Sequence, residues 1–153
     1  MKHYKDESNK IYAYESDGSQ DAFIKEGLVP ISDEDLAAMI APTTEQLLSQ
    51  LTAERKEQER QGVVINGIRY AGDPGNRQAL QEAIAFMEDA GLTEFESWKD
   101  SDNAFHASHP LIDVVDAYQV IGSRRAELIA TEGEYAAQIT GGAFTDLSLV
   151  TWP

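Results

Sequence analysis

"VVINGIRYAG", residues 63–72, sets a short apolar run on either side of Asn66-Gly67. Asn and Gly tolerate the positive φ angles that a type I′ turn demands at both central positions, so the stretch reads as a β-hairpin. A helix follows. Asp73 suits an N-cap with Pro74 at the first helical position, and "NRQALQEAIAFMEDAG" puts Leu80, Ala83, Ile84 and Met87 on one face before Gly91. Proline is pre-set for a helix start, and glycine suits the left-handed residue that ends one. A hairpin feeding an amphipathic helix predicts an α+β domain, with strand pairs laid against helices.

Downstream, "FESWKDSDNAFHASHP", residues 95–110, repeats the theme. "FESW" alternates, "DSDN" turns with Asp102 and Asn103 at its centre, and "AFHA" returns, which predicts a second hairpin. Pro110 should open the longest helix, "PLIDVVDAYQVIGSRRAELIATE", residues 110–132. Its apolar face would carry Leu111, Val114 or Val115, Tyr118, Ile121, Leu128 and Ile129, with the stem of Arg125. Gly122 inside it either permits a close packing contact or marks a bend. A short separate helix is expected around residues 134–139, and the closing "AFTDLSLVTWP" is apolar enough to pack.

Upstream, Thr43 or Thr44 should start a helix whose stripe, Leu47, Leu48 and Leu51, stops at Ala53. The "ERKEQERQG" that follows is polar all round. It reads as a solvated spacer held by pairs such as Arg55–Glu59, because a coiled-coil seam would need apolar positions here. Residues 1–42 read as an arm of short strands ("KIYAYES" ending at Asp17-Gly18) and one helix after Ser32, with few large apolar residues. The expected organisation is therefore a loosely packed arm over residues 1–42, a helical spacer over 43–62, and over 63–153 two short β-hairpins packed against two or three helices.

Composition narrows function. The chain has 153 residues, no cysteine and a net charge of −15 from 12 basic and 27 acidic side chains. Thiolate-held metal centres and disulfides are excluded. Such a field repels nucleic acid and anionic lipid, so neither is an expected partner. The opening "MKHYKDESNKIYAYESDGSQ" is polar and unlike a signal peptide, and no apolar run approaches the ~20 residues of a membrane span. The expected setting is a cytoplasm, unless the chain leaves on a larger particle.

His106 and His109 form H-x-x-H, the one spacing that invites a metal or catalytic reading. Pro110 breaks that spacing between a strand and a helix start, and a third ligand would have to come from Asp113, Asp116 or a distant carboxylate. The bland alternative places His106 outward beside a buried Phe105 and His109 in the first helical turn. Phosphate loops, nucleophile elbows and zinc-protease motifs are missing. The expectation is therefore no enzyme, no metal and no cofactor. Aromatics are the better contact candidates, since Trp and Tyr bury much area at low entropy cost. Tyr70, Trp98, Phe105 and Trp152 are singled out, while Asn66, Gly67, Asp102 and Asn103 are assigned to turns. Packing in the core is the favoured role of Phe105 and Tyr118, and Trp98 and Trp152 stay open between core and contact.

Taken together, "GVVINGIRYAGDPGNRQAL", "WKDSDNAFHAS", a long helix and a closing "LVTWP" resemble a domain of unknown function found in phage tail proteins. The resemblance rests on a G-x-x-x-N-G-x-x-Y-x-x-D stretch, a W-K-x-x-D-N-x-F stretch and a C-terminal tryptophan, over about residues 44–153. The arm, "HYKDESNKIYAYESDGSQDAFIKEGLVPISDEDLAAMIAP", looks like the openings of phage tail-fibre assembly proteins. The resemblance implies a non-enzymatic chaperone in the host bacterial cytoplasm that binds the C-terminal part of a tail fibre. It leaves open whether the protein stays on the virion tail and whether it forms a homo-oligomer. The alternative is a structural tail or fibre-tip subunit in contact with the host receptor.

Overall fold

Asn66 and Gly67 turn the chain at φ of 49° and 81° in the computed structural model, which describes residues 1–153. The hairpin they close pairs β4 (Val63–Ile65) with β5 (Ile68–Tyr70), in the register Val63↔Tyr70 and Ile65↔Ile68. The chain divides into two compact units, Met1–Pro42 and Thr43–Pro153, and its architecture is α+β.

In the first unit, β1 (Lys2–Lys5) lies between β2 (Ile11–Tyr14) and β3 (Val29–Ile31), antiparallel to both. Helix α1 (Asp33–Ile40) follows, its N-cap Ser32 accepting from the Asp35 N–H at 3.0 Å. No residue of this unit is buried, so local polar contacts hold it. Asp6 accepts from Ser8, Lys10 and Tyr12 across the β1–β2 turn. These bonds, that from Ser8 foremost, hold its carboxyl at about 2. Tyr4 meets Tyr14 edge-on at 5.7 Å.

The second unit comprises α2 (Thr44–Gln61), the β4–β5 hairpin, α3 (Pro74–Asp89), β6 (Glu94–Lys99), β7 (Phe105–Pro110) and α4 (Leu111–Thr140). Both expected starts are built by side chains. Thr43 and Gln46 exchange hydrogen bonds in a full capping box, and Asp73 accepts from the Gly75 and Asn76 N–H groups, with Pro74 in the first turn.

Two apolar cores share α4. Its Val114, Ala117 and Ile121 pack with Tyr70 and Leu80, and Ile139 packs with Leu47 and Leu51 of α2. One continuous helix of 30 residues therefore replaces the two expected helices. Gly133 costs about 1 kcal/mol in a helix interior. Burial of Ile139 together with Tyr135 and Ala136 on the second core offsets that. Gly122 has open space around it, so no close packing contact requires it. Ile129, expected on the apolar face, is instead exposed.

The expected solvated spacer holds on one face, where Glu54, Lys56, Glu57, Arg60 and Gln61 are exposed, and the expected Arg55–Glu59 pair forms; the other face is packed. Glu59 of α2 is buried and faces three arginines from three helices: Arg55 of α2, Arg77 of α3 at 3.2 Å and Arg125 of α4 at 3.4 Å. Arg55 also pairs with Glu132, which accepts from the Thr52 hydroxyl at 2.6 Å, and Arg124 donates to the Gly62 carbonyl at 2.6 Å. A buried carboxylate is tolerable only when opposite charges and donors surround it, as here. On α4 this polar cluster lies between the two cores, so one face of "ERKEQERQG", through Arg55 and Glu59, carries the ionic seam of the domain.

Close approach also fixes the end of α2. A side chain at Gly62, whose φ is 70°, would place its Cβ 1.8 Å from the Tyr70 carbonyl oxygen, and one at Gly72 would place its Cβ 2.3 Å from the Glu59 backbone carbonyl oxygen.

Candidate functional site

The second hairpin does not alternate. β6 and β7 hold five ladder pairs, from Glu94↔Pro110 to Lys99↔Phe105, but Glu96 and Ser108 form none. Ser108 sits at φ 49°, a left-handed conformation that turns the strand's phase over. Inward positions fall three apart on both strands, at Phe95 and Trp98 across the unpaired Glu96 and at His106 and His109 across the unpaired Ser108. This overturns the expected arrangement. Phe105 is 72% exposed on the outer face, while His106 is half-buried beneath it. His109 belongs to β7 rather than to the first turn of α4 and is 2% exposed.

The inward residues form one ring cluster against α4 and β5. Trp98 stacks on His109 at 5.5 Å and touches Phe95 at 4.9 Å, with Tyr70 6.1 Å from both Trp98 and His109. Tyr70 Oη and His109 Nε2 share a hydrogen bond of 2.6 Å. Burial lowers the His109 pKa, which Asp113 partly opposes. Burial, aided by Asp113 and Asp100, pushes the Tyr70 hydroxyl up to about 12. Both groups are therefore neutral at pH 7, with a single proton between oxygen and nitrogen. The Trp98 N–H is buried without a partner, so that ring contributes by packing.

Asp100 builds the turn. One of its oxygens accepts from the Asp102 and Ala104 N–H groups, each at 2.8 Å, and the other meets His106 Nε2 at 2.8 Å. The His106 bond, with the backbone donors behind it, holds the Asp100 carboxyl below the usual range. Asn103 supplies the left-handed turn residue, at φ 68°. Asp102 does more than turn the chain. It takes both Nε and Nη2 of Arg69, at 2.8 and 2.7 Å, while the Ser101 hydroxyl accepts from the Ala71 N–H at 2.8 Å. The two hairpins are thus riveted side to side through Arg69–Asp102 and Ala71–Ser101, a link between residues about thirty apart that no local pattern announces.

Chemically, each imidazole spends its Nε2 on a structural partner, and no three His, Asp or Glu side chains converge as metal ligands would. The aromatic candidates separate. Tyr70, at 2% exposure, presents no surface to a partner and is a core residue. Trp98 lies half-buried beside it. Trp152 is remote from both, packed on the Leu47 core with its N–H 3.4 Å from Glu54. Phe105 alone of the four stands out from the domain, with the Lys99 ammonium 5.8 Å from its ring centre.

The family described as a domain of unknown function, DUF4376, matches residues 42–150. The chain belongs to this family. The DUF4376 match takes in α2 through α4 and thus both hairpins, both cores and the Glu59 seam, while the three-stranded sheet of the first unit lies outside it. No curated protein and no solved structure matches the chain.

Proposed function

We propose that this protein is a phage tail-fibre assembly protein. It works without catalysis, as a chaperone that binds the C-terminal part of a tail fibre in the host cytoplasm. The sequence resemblance is one support. The structural observation that carries the reading is Phe105: a large aromatic, 72% exposed, on a hairpin whose opposite face is anchored by Phe95, Trp98 and His109. A ring held out on a rigid support loses little entropy on contact, which suits a binding anchor. Fibre strands pair over long sequence distances and expose edges while they fold, so they gain from a partner that covers apolar surface. The strong negative charge keeps such a partner soluble until it meets its target.

The test is co-expression with a phage tail-fibre gene, followed by gel filtration. Soluble trimeric fibre should appear only with the wild-type protein and should fall severalfold with Phe105→Ser. Fibre that assembles equally well without the protein overturns the reading and leaves the structural tail subunit as the alternative.

A further inference from the structure

Helix α3 ends with the Leu92 N–H reaching the Met87 carbonyl at 2.9 Å and the Gly91 N–H reaching Glu88 at 3.1 Å. That pair of hydrogen bonds folds the residue after the glycine back over the last helical turn. Phe86, Met87 and Leu92 thereby line a groove together with Glu94, Phe95 and Glu96 of β6. Phe86 and Leu92 are 66% and 47% exposed, and only two serines complete the lining, so no cation lies in it. β6 pairs with β7 alone, which leaves one row of its backbone donors and acceptors without a strand neighbour. Glu96 and Ser108, the positions that form no ladder pair, both line this groove.

We propose that the groove receives an extended segment of a partner polypeptide in which apolar side chains alternate with Lys or Arg, laid along the free edge of β6. Apolar side chains would fill the space between Phe86, Leu92 and Phe95, while backbone bonds extend the ladder. Alternate cations would meet Glu94 and Glu96, which stand at the edge with no positive charge beside them. A second copy of this chain is the wrong occupant. It carries −15, and a two-fold pairing on this edge would set the same glutamates against one another. The inference rests on the contact reading above, adding to it the surface and the chemistry of the bound segment.

The experiment uses the full chain and a fluorescein-labelled synthetic peptide alternating lysine and valine, followed by anisotropy. Wild type should bind it. The double substitution Glu94→Lys and Glu96→Lys should weaken binding about tenfold or more, as should Leu92→Ser. Glu127→Lys with Glu134→Lys makes the same charge change at exposed sites on α4 and should alter binding by less than about twofold. Equal losses in the two charge-reversed proteins mean diffuse attraction and overturn the groove, as does no binding by wild type. A wild-type dimer that the β6 substitutions dissociate overturns it as well. Peptide binding is scored apart from fibre solubility. If wild type rescues the fibre but ignores the peptide, only the groove falls; if the groove binds peptide while the fibre is indifferent, the groove stands and the fibre reading falls.

Discussion

His109 Nε2 and Tyr70 Oη meet at 2.6 Å inside the core, tying the last strand before α4 to the end of the first hairpin. Removing the hydroxyl leaves a buried ring nitrogen without a partner, which costs on the order of 1–3 kcal/mol. Tyr70→Phe should therefore lower the urea midpoint at pH 7.5 while leaving the far-UV spectrum intact. An unchanged midpoint would show that the contact contributes no net stability.

The same burial makes the domain sensitive to acid. His109 is lowered in the folded state, whereas an unfolded histidine titrates near 6.5. Between those two values the unfolded chain binds the extra proton. Stability should therefore fall as pH drops below about 7 and level off once the folded form also protonates. Asp100, held below the usual carboxylate range, contributes its own loss only at lower pH. Urea midpoints at a series of pH values should slope downward for wild type and more gently for His109→Gln. Parallel slopes would assign the titration to another group.

The ionic seam should behave unequally around its centre. Glu59→Ala removes the buried carboxylate that Arg55 and Arg77 face from the interior and should cost about 3 kcal/mol or more. Arg125 is 44% exposed at its side chain, so Arg125→Ala should cost under about 1 kcal/mol. Chemical denaturation of the two variants compares them directly, and a larger loss from Arg125 would contradict this geometry.

Two glycines should respond to alanine with opposite signs. At Gly62 a methyl group would collide with the Tyr70 carbonyl in a left-handed backbone, costing more than about 2 kcal/mol. At Gly122, inside α4 with open space around it, alanine should stabilise by roughly 0.5–1 kcal/mol. Thermal melts of Gly62→Ala and Gly122→Ala should move apart in these directions.

Local chemistry made part of this architecture legible. Asn66-Gly67, Asp73-Pro74 and Gly91 each act on neighbours within a turn, and each stands where the pattern placed it. Legibility failed where a distant partner or an unusual backbone angle decides. Nothing in the alternation of "AFHASHP" reveals that Ser108 adopts a positive φ and drops out of the ladder, so that His106 and His109, three apart, both face inward while Phe105 faces out. Glu59 looks like any surface charge in a polar helix until α3 and α4 bring Arg77 and Arg125 to it. The expected break between residues 132 and 134 does not occur, because the burial of Ile139 that carries α4 through Gly133 depends on the distant Leu47 and Leu51.

The position of that carboxylate cluster between the Tyr70 core and the Leu47 core bears on cooperativity. Apolar clusters at the two ends of a long helix can open as separate units, and what keeps them a single unit is the energy of the joint. Here the joint is the ionic cluster together with the fully buried Leu128. Amide protons around Leu51 and Ile139 should exchange at the same global rate as those around Val114 while Glu59 is intact. Once it is replaced, the end of α4 that carries Ile139 should breathe on its own.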